Sequence, residues 1–169
     1  MPVAELLAHL CARRELVVVA IGAPAEREYV ESVIRAARVE GRVVNAAGRI
    51  DVPQLVALLG HAEVVVTNDS GPLHLASAAG ASTVALFGPE TPVLYGPLRA
   101  RPGQRHAVHY LKLACSPCMF VHDNKVLSCW FAPARCMTGI RPAEVLASVE
   151  SLLAGAAGAA KVPLRVIDS

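Results

Sequence analysis

The stretch Thr67-Asn68-Asp69-Ser70-Gly71-Pro72-Leu73-His74 places a carboxylate, a hydroxyl, a glycine and an imidazole together, directly after the β-branched run Val64-Val65-Val66. Each type has a use where a strand hands over to a helix. Asp and Ser are favoured helix N-cap residues, and Pro is tolerated in a first turn, where its missing N–H would have no partner anyway. Gly lets another molecule approach the backbone closely. The amides left unpaired at such a helix start, together with the positive end of the helix dipole, suit a phosphate or pyrophosphate. A well-capped helix with nothing bound would use Asp, Ser and Pro in the same way. His74 is the residue that capping leaves unexplained.

The elements that must hold this turn follow from hydrophobic periodicity. Leu6, Leu7 and Leu10 fit an amphipathic helix from about 2 to 14. Leu16 to Ile21 reads as a strand ended by Gly22-Ala23-Pro24. A helix over about 25–40 follows, with Tyr29, Val33, Ile34 and Ala37 on one face and Gly41 as its stop. Arg42-Val43-Val44 is a short strand. Asp51 caps a helix with Pro53 in its first turn, burying Leu55, Leu58 and Leu59. After the opening strand and its turn, Gly80 closes the next helix, and Thr83 to Phe87 is a strand broken by Gly88-Pro89. Strands alternating with helices imply an α/β fold: a Rossmann-like parallel sheet with helices on both faces, its ligands at the carboxyl ends of the strands. The polar turns Gly22 to Glu26, Thr67 to Gly71 and Gly88 to Thr91 all follow strands and are expected on that edge, lining one cleft. Residues 98–141 form a Cys-rich irregular segment. A closing helix begins near Pro142 and carries Val145, Leu146, Val149, Leu152 and Leu153, which ends the domain at 153 and leaves 154–169 as a flexible tail.

Composition narrows the partners. With 169 residues, 54% hydrophobic and 18% charged, the chain is an ordinary globular domain and not a disordered one. Its apolar runs are too short to span a bilayer, and no basic, apolar and small-residue leader opens it, so the expected location is the cytoplasm. A net charge of +2, basic residues scattered along the chain and 4% aromatic residues argue against nucleic acid and for a small molecule.

The block Thr67 to Ala76, continuing to Gly80 and then Val84-Ala85-Leu86-Phe87-Gly88-Pro89, resembles the signature of glycosyltransferase family 9, the ADP-heptose:lipopolysaccharide heptosyltransferases. Cys115-Ser116-Pro117-Cys118, Cys129 and Cys136-Met137 also resemble many members. The resemblance implies a GT-B enzyme of two Rossmann-like domains, of which this chain is similar to the donor-binding C-terminal one. It further implies that the acceptor domain with its catalytic carboxylate, and the first donor-domain strand with the Lys after it, lie outside this chain. No catalytic residue is then expected here, and the chain alone is expected to bind without turnover. An uncovered sheet neighbour would favour pairing as a homodimer.

By the same resemblance, Asp69 stands beside the donor sugar, Ser70 and Gly71 offer hydroxyl and N–H to the pyrophosphate, and His74 adds a donor or a positive charge near phosphate. Glu26 matches the acidic residue that binds the nucleotide ribose, although a charged helix start also complements a dipole by itself. The implied reaction is inverting transfer from an ADP-activated sugar to a glycan or lipid-linked acceptor. It requires no cofactor if the helix end, His74 and the absent Lys offset the diphosphate charge.

Cys115, Cys118, Cys129 and Cys136 are open to three readings. One tight pair with two further thiols can surround a structural zinc, the pair alone can do redox chemistry, or all are plain thiols. Cys11 belongs to the first helix and is expected to be buried. His61-Ala62-Glu63 with Pro117-Cys118 is similar to a zinc-deaminase pattern, but Val121 stands where its next cysteine is needed. Neither a phosphate-binding G-x-x-x-x-G-K-[ST] loop nor a G-x-G-x-x-G turn after a strand is present. The competing expectation is a noncatalytic module that binds a metal or a protein through the cysteine segment and keeps only a vestigial sugar-nucleotide site.

Overall fold

The structure, a computed structural model, describes residues 2–120, 124–125 and 128–156. The chain divides into two compact units, Met1–Leu55 with Arg141–Ala147 and Val56–Ile140 with Ser148–Ser169.

The first unit contains α1 (Pro2–Ala12), β1 (Val18–Ala20), a 3-10 turn (Pro24–Glu26) running into α2 (Arg27–Ala37), and β2 (Val43–Asn45). β1 and β2 pair in parallel, Val18 opposite Val43. Cys11, Ile34 and Val39 form its buried core, with Leu7, Val18, Val30 and Val43 packed around them. Two expectations are corrected here. Tyr29 is 57% exposed, so the buried face of α2 is carried by Val33 and Ile34. The helix also stops before Gly41, at Arg38, which takes the left-handed conformation (φ 57°, ψ 45°). The reason is the next residue. The Val39 N–H bonds back to Ile34 O at 3.4 Å while its side chain joins Ile34 in the core, so an apolar contact outweighs the usual preference for Gly at this turn.

α3 (Val52–His61) starts with a reciprocal cap: Asp51 Oδ1 accepts the Gln54 N–H at 2.8 Å, and Gln54 Oε1 accepts the Asp51 N–H at 2.9 Å. Of its three expected core leucines, Leu59 is buried and Leu55 and Leu58 are half-buried. The second unit continues with β3 (Val64–Asn68), α4 (Gly71–Ala79), β4 (Ser82–Phe87), α5 (Pro92–Tyr95), β5 (His106–Tyr110), β6 (Met119–Phe120), β7 (Asn124–Lys125), α6 (Arg135–Thr138) and, from Ser148 onward, α7 (Pro142–Ala156). Strands β3, β4 and β5 form a parallel sheet in that order, with Val64 opposite Ser82 and Phe87 opposite Tyr110. The parallel α/β class is as expected, with its parallel strands in two sheets. Phe87, Leu73, Val84 and Thr83 are fully buried, and Tyr95 and Tyr110 pack on Leu73 and Phe87. Removing the Phe87 ring would cost about 3–5 kcal/mol.

β5 corrects the expectation of irregular chain from 98 to 141. His106 and His109 break the apolar alternation that marks a strand, yet His106 is accommodated by a polar partner: its Nδ1 lies 2.8 Å from Thr83 Oγ1. Burial pushes the His106 pKa down, which favours the neutral ring. The connection leading into β5 is held by the buried side chain of Gln104. Its Nε2 donates to Ser77 O and Ala81 O, both at 2.8 Å, and its Oε1 accepts the N–H groups of Ala100 and Arg101. Gly80 ends α4 at φ 91°, as read from the sequence. The closing helix extends beyond 153 to Ala156, and 157–169 lie outside the described residues.

Candidate functional site

The turn between β3 and α4 gathers four of the five expected donor-binding residues. The Asp69 N–H donates to Leu86 O at 3.0 Å, fixing the turn to the neighbouring strand. Ser70 occupies the N-cap position of α4 in extended backbone, but its side chain makes no capping bond. Its hydroxyl turns back to Asn68 O at 3.2 Å and lies 3.3 Å from Thr67 Oγ1. Pro72 has no N–H to offer, so Leu73, whose N–H reaches Ser70 O at 3.0 Å, is the first residue of α4 beyond Gly71 with an amide. A Cβ placed on Gly71 would meet nothing within 4 Å, so the backbone is open to an approaching anion there.

Electrostatics add to this geometry. Burial raises the Asp69 pKa from its ordinary value; His74 pulls it back and Glu90 pushes it further up. His74 and Glu90 therefore both act on Asp69 at the carboxyl end of the sheet. His74 is exposed, in the first turn of α4, and takes no part in the core.

Glu90 is the residue that sequence reasoning missed. It is 4% exposed; its Oε1 accepts the Thr91 N–H at 2.8 Å, while its Oε2 is buried without a hydrogen-bond partner. A buried carboxylate oxygen left in this state is costly unless something else completes it. The polar turn Gly88 to Thr91 was visible in the sequence, but burial of its acidic residue was not.

Glu26 belongs to the other compact unit. It closes the turn after β1, where its Oε2 accepts the Ala23 N–H at 2.7 Å, and it is exposed to solvent. The cysteines are all free: Cys11 is buried in the first unit as expected, Cys136 is buried, Cys115 and Cys118 are half-buried and Cys129 is exposed. Burial raises the Cys118 pKa, and the thiols of Cys136, Cys115 and Cys129 add to that rise, in that order. Among the described residues no three His, Cys, Asp or Glu side chains stand close enough to hold a metal ion. Nor is any helix among them long and apolar enough to cross a membrane.

Residues 3–125 match the family model for glycosyltransferase family 9 (heptosyltransferase). The chain belongs to this family. It is 29% identical over 112 residues to lipooligosaccharide heptosyltransferase 2 of Campylobacter jejuni, covering 66% of this chain and 32% of that protein. Against lipopolysaccharide heptosyltransferase 1 of Pseudomonas aeruginosa the identity is 29% over 160 residues, covering 88% of this chain and 42% of the relative. In three dimensions it is similar to the E. coli ADP-heptose LPS heptosyltransferase II, with a TM-score of 0.68 and 27% identity over 89% of this chain and 40% of that one. This family 9 chain thus spans 32% of the first of these relatives and 42% of the second.

Proposed function

We propose that this chain is the donor-binding half of a heptosyltransferase and that it holds an ADP-activated heptose at the start of α4. The observation that carries the reading is the open turn: an uncapped helix N-terminus at the carboxyl end of β3, with Gly71 clear of side chains and Asp69 and His74 beside it. Membership of a heptosyltransferase family supports the choice of ligand.

In this reading the N–H groups of Ser70 and Gly71, the positive end of α4 and His74 take the diphosphate, while Asp69 accepts bonds from sugar hydroxyls. Transfer is inverting. A carboxylate contributed by an acceptor-binding domain deprotonates the acceptor hydroxyl, whose oxygen attacks the anomeric carbon as the bond to the diphosphate oxygen breaks. Negative charge then grows on the leaving ADP, where the fixed amides of the turn stabilise it without reorganising. The acceptor is the lipopolysaccharide core or a related glycan, the reaction takes place in the cytoplasm, and this chain alone binds donor without turnover.

Isothermal titration calorimetry of the chain with ADP tests the reading. Wild type is expected to bind ADP, and Asp69→Ala to bind ADP-heptose at least about tenfold more weakly, the scale of a lost hydrogen bond to a charged group. A wild-type chain that takes up neither nucleotide overturns it.

A further inference from the structure

We propose that the crossover from β4 to β5, residues 91–105, docks on an anionic lipid surface, with Val93, Leu94 and Leu98 seated among the headgroups and Arg99, Arg101 and Arg105 against their phosphates. This stretch is fastened along one side. Tyr95 packs inward on Leu73 and Phe87, and the Leu98 carbonyl accepts the Ser77 hydroxyl. Further on, the Arg101 side chain lies against Gly80, and Gln104 donates to Ser77 O and Ala81 O. Leu73, Ser77 and Gly80 stand at i, i+4 and i+7, so the crossover follows a single stripe of α4 and its C-cap. The side chains it leaves exposed stand on the side away from that stripe. Val93, Leu94 and Leu98 are 87%, 70% and 79% exposed, and Arg99, Arg101 and Arg105 are exposed as well. Single exposed apolar residues are ordinary, but three within six residues of a firmly held strip mark a contact surface.

Charge decides what that surface meets. From Thr91 to Phe120 the sequence has no Asp or Glu, while ten of the chain's fourteen acidic residues precede Thr91. The small net charge of +2 conceals this unevenness. Among the described residues none of the three arginines is paired with a carboxylate. Two copies of the strip laid face to face would set arginine against arginine, whereas anionic headgroups neutralise all three. Nucleic acid also offers phosphates, but it needs flat rings on which to stack its bases. Tyr95 is the one aromatic residue of residues 91–105, and it is turned inward. Aliphatic side chains beside arginines suit the boundary between headgroups and acyl chains.

Co-sedimentation of the full chain with vesicles tests the strip, using phosphatidylcholine alone and phosphatidylcholine with about one-third phosphatidylglycerol. At low salt the chain should pellet with the anionic vesicles and not with the neutral ones. It should leave them at about 0.5 M salt, where screening confines each charge to about 4 Å. Arg99→Glu should lower the partition coefficient about tenfold or more, since one attraction becomes a repulsion. Val93→Ser combined with Leu94→Ser should lower it about tenfold. Val17→Ser, at a similarly exposed valine of the other unit, should leave it unchanged. Every variant alters an exposed side chain, and an unchanged melting temperature verifies its fold; the salt dependence of the wild type stands without them. Failure to pellet with anionic vesicles, equal pelleting with neutral ones, or undiminished pelleting of both strip variants overturns the assignment. So would a dimer in sedimentation velocity that the Val93→Ser, Leu94→Ser variant breaks, or retention of polyuridine, where the vesicles take up nothing.

Discussion

The turns after β1 and after β3 carry similar residues and end in opposite states. At the first, Glu26 spends one oxygen on the Ala23 N–H and so closes its own loop. At the second, Ser70 leaves the helix uncapped, Gly71 faces open space, and burial with Glu90 nearby raises the Asp69 pKa against the pull of His74. An acidic residue beyond a strand is therefore not in itself a sign of binding. What separates the two turns is whether the hydrogen-bonding capacity is already used by the loop.

The sharpest way to break this contrast is Asp69→Ala, expected to weaken ADP-heptose binding by about ten- to a hundredfold, against a few-fold at most for Glu26→Gln. Equal losses in calorimetry would erase the distinction between the turns. Next comes Gly71→Val. With nothing within 4 Å of the new Cβ, the fold should hold its melting temperature while the side chain obstructs the amides and cuts ADP affinity about tenfold. A large drop in melting temperature would mean that Gly71 serves the fold and not a ligand.

The pH dependence of stability gives a third measure. Since burial raises the folded pKa of Asp69, the folded chain holds that proton more tightly than the unfolded one. Its contribution to stability is then complete below the unfolded pKa and is lost as the pH climbs through the folded value. Asp69→Asn should flatten that decline and raise the melting temperature at neutral pH. Glu90→Gln should act in the same direction more weakly, moving the Asp69 carboxyl titration, followed by carbon NMR, to lower pH because one negative neighbour is gone. The smallest effect is that of Glu26→Ala on folding, about 1 kcal/mol for loss of a cap-type bond, read from denaturant unfolding.

The parallel α/β class and the turn at Thr67 to His74 were legible because they rest on local rules: β-branched runs, N-cap residues, and Gly80 where a left-handed residue is needed. What escaped depends on partners distant in sequence. β5 is a strand because Thr83 and its neighbours on β4 receive His106, and no periodicity within residues 106–110 reveals that. Arg38 ends α2 because Val39 has a core to enter, so the glycine three residues later misled. Glu90 sat in a turn already recognised as polar, but only the folded chain distinguishes a solvated carboxylate from one sealed in with an unmet oxygen.

Gln104 has a bearing on how this sheet can vary. One side-chain amide ties both the departing end of α4 and the backbone just ahead of β5, so the crossover is clamped at its far end whatever happens nearer α5. Extra residues inserted just before Leu98, whose exposed side chain faces solvent while its carbonyl accepts the Ser77 hydroxyl, would hang outward as slack and leave the strand where it is. The same insertion between Arg101 and Gln104 would slip the clamp and shift β5 along β4, carrying Tyr110 off Phe87.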